Sequence, residues 1–270
     1  MNEIVRATAT TLWLQLTLLS DTTFGRGDGV AGEVDDEIQH DELGLPFLNG
    51  KTLKGLLGAE CAEILFSLTQ IGIDLAGWRE SSQRLFGQPG SAVVDSGLLH
   101  VGMARLPSAL RNVIASDFER CSAELRSKHV PRSDIEIALG RMRRANLSSL
   151  TAERRQTAIS ANGAPQKETL RTLRVLLRQT MFETELQFAG AMTQHDQMLL
   201  SACVRSLRRA GSGRNRGRGH VQALLLDQPP DSTSGARSID NSIGARWFAA
   251  FKTFLQTNTP QITSPPSRGA

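Results

Sequence analysis

The residues best suited to chemistry lie in two stretches. Between Asp28 and Glu42 there are seven carboxylates, including Asp35, Asp36 and Asp41, with His40 beside the last. Residues 211–219 read GSGRNRGRG, directly after Arg205, Arg208 and Arg209. A single carboxylate can take a proton as general base or hold a metal-bound water. The glycine/arginine stretch suits a phosphate chain. Gly211, Gly213, Gly217 and Gly219 let backbone N–H groups approach closely, while Arg214, Arg216 and Arg218 add charge. Its glycines fall at positions 0, 2, 6 and 8, unlike a dinucleotide fingerprint, and no GK[ST] of a phosphate-binding loop is present. A solvated Gly/Arg linker and a solvated acidic loop are the alternatives, and Asp41 before LGLP has the placement of a turn cap.

Further cations surround these stretches. Lys51 and Lys54 bracket the first turn of a predicted helix, whose free N–H groups and dipole favour a phosphate. Arg141, Arg143, Arg144, Arg154 and Arg155 form a basic edge. His220 follows the glycine loop and either contacts phosphate or merely opens a strand. The chain contains no tyrosine, so base stacking is poorly supplied and phosphate and shape contacts dominate.

The elements that must position these groups are partly legible. Leucine at every second residue from 12 to 18 has the period of a half-buried strand. Residues 20–49 read as a long acidic surface loop. Leu53, Leu57, Cys61, Ile64 and Leu68 recur at helical spacing behind Asn49 and Thr52, either of which can cap the helix. Residues 71–96 look irregular, 98–106 strand-like, and Pro107 opens a helix to about residue 128. Residues 132–180 show no sustained apolar period and read as an excursion from the core. A strand at 182–188, a helix near 195–209 and a strand at 220–226 follow. The order is strand, helix, strand, strand, helix, strand: an α+β, ferredoxin-like (RRM-like) βαββαβ palm across residues 1–226. A linker at 227–240, an amphipathic aromatic helix at 241–257 and a disordered tail at 258–270 complete the expected organisation.

Composition sets outer bounds. With 40% hydrophobic and 21% charged residues, the chain is not collagen-like, wholly disordered or a disulfide scaffold. Cations number 31 against 27 acids, and only five of the 31 are lysine, an arginine bias suited to polyanions. Cys61, Cys121 and Cys203 are widely spaced without a CxxC pair, which excludes a disulfide framework or zinc cluster and points to a reducing, cytoplasmic setting. No apolar run is long enough to span a membrane.

Four pieces, taken in order, resemble the RAMP superfamily of CRISPR-associated RNA-binding proteins. LRRAGSGRNRGRGHVQ (207–222) is similar to its glycine-rich loop and closing strand. VDDEIQHDELGLPFLNGKTLKGLLGAEC (34–61) is similar to its acidic loop and G-x-x-L-K-G helix start. RRQTAISANGAPQKETLRTLRVLLRQTMFETELQF (154–188) is similar to its thumb, and Leu85-Phe86-Gly87 matches a short landmark. Within the superfamily the chain most resembles the backbone subunit of type III effector complexes. Asn49, Asn162, the 107–128 insertion and the aromatic helix depart from the pattern.

The resemblance implies a palm that binds CRISPR guide RNA alongside other RAMP subunits and the remaining effector proteins, in an antiviral ribonucleoprotein. It implies a thumb that intrudes on the guide–target duplex. By position in the motif it makes Asp35 the residue that cleaves target RNA with a divalent metal, Mg2+ or Mn2+, with Asp36 the adjacent competitor. A catalytically silent scaffold or capping subunit, a guide-processing RNase, and an unrelated ferredoxin-like protein remain as other readings. The processing enzymes ordinarily use a histidine near the helix start, and none lies there.

Overall fold

The computed structural model describes residues 10–30, 34–88, 97–166, 168–213, 217–230 and 242–259. The leucine alternation forms β1 (Thr10–Leu18), the central strand, with Leu12, Leu14, Leu16 and Leu18 all buried. It pairs antiparallel with β7 (Met181–Phe188) on one side and β8 (Val221–Leu226) on the other. The register places Leu14 between Thr184 and Leu225, and Leu16 between Phe182 and Ala223, so the apolar side chains of three strands share one face. A one-residue slip would expose the whole set, which pins the pairing.

Residues expected as one strand at 98–106 are two short ones, β3 (Leu99–Val101) and β4 (Ala104–Arg105), both against β7. β2 (Phe47–Leu48) pairs with β4 at the edge. The order β2-β4-β7-β1-β8 is the antiparallel ferredoxin-like arrangement.

Helix α1 (Gly50–Gln70) buries Leu53, Leu57, Cys61 and Leu68, and the Asn49 side chain caps it by accepting from the Lys51 N–H. Helix α5 (Gln194–Ser206) opens with a Thr193/Asp196 capping box and is buried along most of its length. Both close over the apolar face of the sheet, and each buried Leu or Phe contributes roughly 1.5–3 kcal/mol. Cys61, Cys121 and Cys203 are free thiols, as their spacing implies.

Two helices were not legible. Part of the stretch expected to be irregular is α2 (Ala76–Phe86), which buries only Trp78, Ser81 and Leu85, too few apolar positions to display a period. Leu85-Phe86-Gly87 is its C-terminal stop, Gly87 standing at φ 78° where a side chain would be strained. The excursion begins with α4 (Arg132–Leu150), a regular helix that fully buries only Ile135. It pairs with α3 (Ser108–Ser127), which Pro107 opens as expected and whose first N–H, on Ser108, donates to Glu183 of β7 at 2.6 Å. Strands β5 (Thr151–Gln156) and β6 (Arg171–Leu176) then form a separate two-stranded hairpin.

The aromatic helix α6 (Ile243–Asn258) packs on α5 and α2. Phe251 and Phe254 meet Trp78 edge-on at 5.4 and 5.2 Å between ring centres, so this stripe belongs to the core. Most of the expected linker and nearly all of the expected tail lie outside the described residues. Among the described residues no helix is long and apolar enough to cross a membrane.

Helices α2 and α5 are clamped by Arg84, whose Nε and Nη2 both donate to the fully buried Asp196 carboxylate at 2.9 Å. Burial pushes the Asp196 carboxyl up, but Arg84, the Thr193 N–H and hydroxyl, and Ser81 outweigh it and hold it below its ordinary value. A depressed carboxyl contributes stability that is present above its unfolded value and lost as pH falls through the folded one. Asp196→Asn is therefore expected to cost about 1–3 kcal/mol at pH 7. In urea titrations the difference from wild type should shrink once pH drops below about 4.

Candidate nucleic-acid interface

The two chemical stretches meet on the segment that leaves β1. Residues 20–26 carry the backbone partners of three distant regions. On one side is the glycine loop, where the Ser212 N–H donates to the Thr23 carbonyl (2.9 Å) and the Gly219 N–H to that of Asp21 (3.1 Å). At the root of this loop the Leu19 N–H donates to the His220 carbonyl, and the His220 N–H to the Ser20 hydroxyl. His220 thus opens β8 with its backbone.

On the other side is the end of β6. Thr22 and Leu176 exchange two backbone hydrogen bonds (3.1 and 2.7 Å), the Thr23 hydroxyl donates to the Arg174 carbonyl, and Arg154 forms an ion pair with Asp21 (2.8 Å). The third partner is the acidic stretch, which folds back on 24–30 through Gln39 N–H to Phe24, Arg26 N–H to Glu37, and Val30 with Val34. What the sequence showed as a surface loop is thus an ordered two-stranded ribbon burying Phe24, Val34 and Ile38. Its carboxylates concealed the apolar residues among them.

Within that ribbon the carboxylates separate by side. Asp35 is exposed, and its Oδ2 accepts from the Thr172 N–H at 2.6 Å. Asp36 is half-buried beside Gly25, and burial, then the charge of Glu37, raises its carboxyl above the ordinary value. Glu37 is buried in an ion pair with Arg174 at 3.0 Å. Asp41 accepts from the Leu43 and Leu45 N–H groups, both at 2.9 Å, and is the turn cap that its place before LGLP suggested. The His40 ring lies against the Asp41 carbonyl.

The cations occupy three places. Lys51 is exposed on the first turn of α1 and Lys54 half-buried behind it, where burial lowers its ammonium. Both follow β2 at the sheet edge opposite β8, away from the root of the glycine loop. Arg143 donates to the Glu42 carbonyl and holds the 41–46 turn against α4, with Gly44 so close to its backbone that a Cβ would lie 2.3 Å from the Arg143 oxygen. Arg141 and Arg144 are exposed on the same helix, and Arg155 on β5. A cleft of about 440 Å3 lies between α4, the hairpin and the acidic ribbon, lined among others by Glu37, His40, Arg143, Arg144, Glu153 and Arg174. Arg218 is half-buried beside Gly213, whereas Arg214 and Arg216 lie outside the described residues.

Sequence reasoning missed Glu37, Asp21, Thr172 and Arg174, the groups that hold the ribbon in place. One signal existed: Arg174 interrupts the apolar run of Leu173, Val175 and Leu176, and a cation there needs a buried partner.

No protein-family model matches this sequence, and no curated protein matches it. Solved structures do. A chain of the cryo-EM structure of the Type III-B Cmr-beta bound to cognate target RNA aligns with 82% of this chain and 98% of its own length, at 13% identity and TM-score 0.53. A chain of the apo-state cryo-EM structure of the same assembly aligns over 82% and 99%, at 13% identity and TM-score 0.54. The chain shares the fold of these Cmr-beta chains. At this identity the likeness is one of architecture, and it agrees with the ferredoxin-like expectation drawn from the order of elements.

The glycines of the loop are not equivalent. Gly211 stands at φ 82°, and a Cβ there would lie 2.5 Å from the Thr23 carbonyl oxygen, whereas Gly217, at φ 77°, has open space around it. Gly217→Ala should cost only the left-handed backbone penalty of about 1–2 kcal/mol. Gly211→Ala must in addition push the loop off Thr23, and its melting temperature should fall clearly below that of Gly217→Ala.

Proposed function

We propose that the chain is a guide-RNA-binding backbone subunit of a type III CRISPR effector complex that cleaves guide-paired target RNA. Its partners are CRISPR guide RNA, target RNA, neighbouring RAMP subunits and the other effector proteins. The observation that carries this reading is the junction at residues 20–26, which seats the glycine/arginine loop and the Asp35 ribbon on one short segment. A backbone gripped by that loop is thereby brought to the side of the fold that presents an exposed carboxylate. The fold likeness to a chain of an assembly solved with cognate target RNA supports the same reading.

Asp35 fits the chemical role better than Asp36 because its carboxylate faces solvent, while that of Asp36 is turned toward Gly25. RNA supplies its own nucleophile, the 2′-OH, so the carboxylate has to orient that hydroxyl and take its proton. Among the described residues no group of three His, Cys, Asp or Glu converges to hold a metal. Mg2+ is commonly held by one or two carboxylates together with waters and substrate phosphates, so the donor set fits a cation shared between Asp35 and the RNA. Such an Mg2+ or Mn2+ ion would neutralise charge developing on the phosphate.

One observation favours a second reading, a silent scaffold or capping subunit. The Thr172 N–H already engages Asp35, which gives the carboxylate a structural use. Asp35→Asn separates the two, since an amide oxygen still accepts from Thr172 but takes no proton. In assembled complexes this variant should lose about 100-fold or more in target cleavage while guide and target affinities stay unchanged. Cleavage at the wild-type rate would leave the scaffold reading.

The grip is tested separately. Replacing Arg214, Arg216 and Arg218 by Ala should weaken guide binding regardless of sequence and reduce the log–log salt slope by about 2, at roughly 0.7 per lost phosphate contact. An unchanged slope in a salt-titrated binding assay returns the loop to a linker.

A further inference from the structure

We propose that the Glu37–Arg174 ion pair is the positioning device for Asp35, setting the register of the acidic ribbon against β6. The assignment rests on the catalytic reading of Asp35 above.

Residues 34–38 lie beside β6 as a short parallel third strand of the hairpin. The Asp35 N–H donates to the Thr172 carbonyl at 2.8 Å, the Arg174 N–H donates to the Asp36 carbonyl at 3.0 Å, and Asp36 bridges Leu173. These two backbone bonds and the Asp35 carboxylate on the Thr172 N–H (2.6 Å) join this short strand to β6, while its other side pairs with residues 24–30. A one-residue slip turns every side chain of such a strand to the opposite side. Here it would carry Asp35 inward and Asp36 outward, exchanging the exposed carboxylate for the half-buried one.

Arg174 adds the side-chain contact that specifies this register. Its Nε lies 3.0 Å from both Glu37 carboxylate oxygens, and its Nη2 lies 3.6 Å from Glu153, the residue opposite it on β5. Glu37 is fixed in turn, because its Oε1 also accepts from the Ile38 N–H at 2.9 Å. One guanidinium therefore ties β5, β6 and the acidic ribbon together two residues from Asp35. The side chains of Arg174 and Glu37 are only 11% and 3% exposed, so any other register would leave a charge buried without its partner. A buried ion pair adds little net stability over apolar packing, and specifying a register is its best-attested use.

The test replaces the pair by a neutral one, Glu37→Gln with Arg174→Gln, so that no lone charge stays buried. Single-turnover target cleavage in the assembled complex, at saturating target, should fall by about tenfold to a hundredfold while target affinity stays within about twofold. Hydrogen exchange on the free chain should accelerate at the Asp35 and Arg174 amides and leave those of α1 unchanged. Arg174→Lys, which keeps the charge, should recover most of the rate. Phe118→Ala, which removes a buried ring from α3, serves as a destabilised control that keeps cleaving. Wild-type cleavage in the neutral pair, or equal loss of affinity and rate, overturns the positioning role. Asp35→Asn run in parallel distinguishes the failures. If it is inactive while the neutral pair cleaves, only the latch is wrong; if it cleaves normally, the catalytic reading fails and the latch assignment with it.

Discussion

The glycine loop, the end of β6 and the acidic ribbon all depend on the backbone of residues 20–26. Having left β1, this segment can no longer pair with β7 and β8, and buried N–H and C=O groups must find other partners. They find them in three regions remote in sequence: the glycine loop, the end of β6 and the returning acidic ribbon. Thr22 and Thr23 are essentially inaccessible, at 0% and 1% exposed, so the junction is as much a part of the interior as the leucines of β1. A mobile-looking stretch of glycines and acids is thereby made rigid enough to place a side chain.

The charges obey the same logic of satisfied burial. Arg154 is committed to Asp21, Arg174 to Glu37, Arg84 to Asp196, and Glu183 to the first N–H of α3. None of these needs RNA to be stable. The exposed cations at Lys51, Arg141, Arg144 and Arg155 form the other class, whose charge is available to a polyanion at little desolvation cost. Dividing basic residues by what already holds them is more informative here than counting them.

How much of this was legible in the sequence follows from which forces leave a local trace. The period-two leucines of β1 and the helical spacing of α1 come from one-sided burial, and both elements stand where the pattern put them. Helices α2 and α4 bury few apolar side chains, so they left no period to read. The acidic ribbon reads as a loop because its carboxylates hide its few apolar residues, and because part of its order comes from pairing across the fold, Asp36 with Leu173, which no local pattern encodes. Asp35 is singled out only by motif position, whereas the residues beside it, Thr172 and Arg174, are defined only by contact across the fold.

The separation in sequence also has a temporal side. The acidic ribbon and residues 20–26 emerge early in synthesis, yet β6 and the glycine loop, on which they depend, come more than a hundred residues later. Until then Thr22 and Thr23 have no interior to enter. Contacts of such long range close slowly, because the intervening chain loses its freedom before the contact is gained. Helix α1, whose own pattern is local, can therefore form while the surface those contacts build is still incomplete.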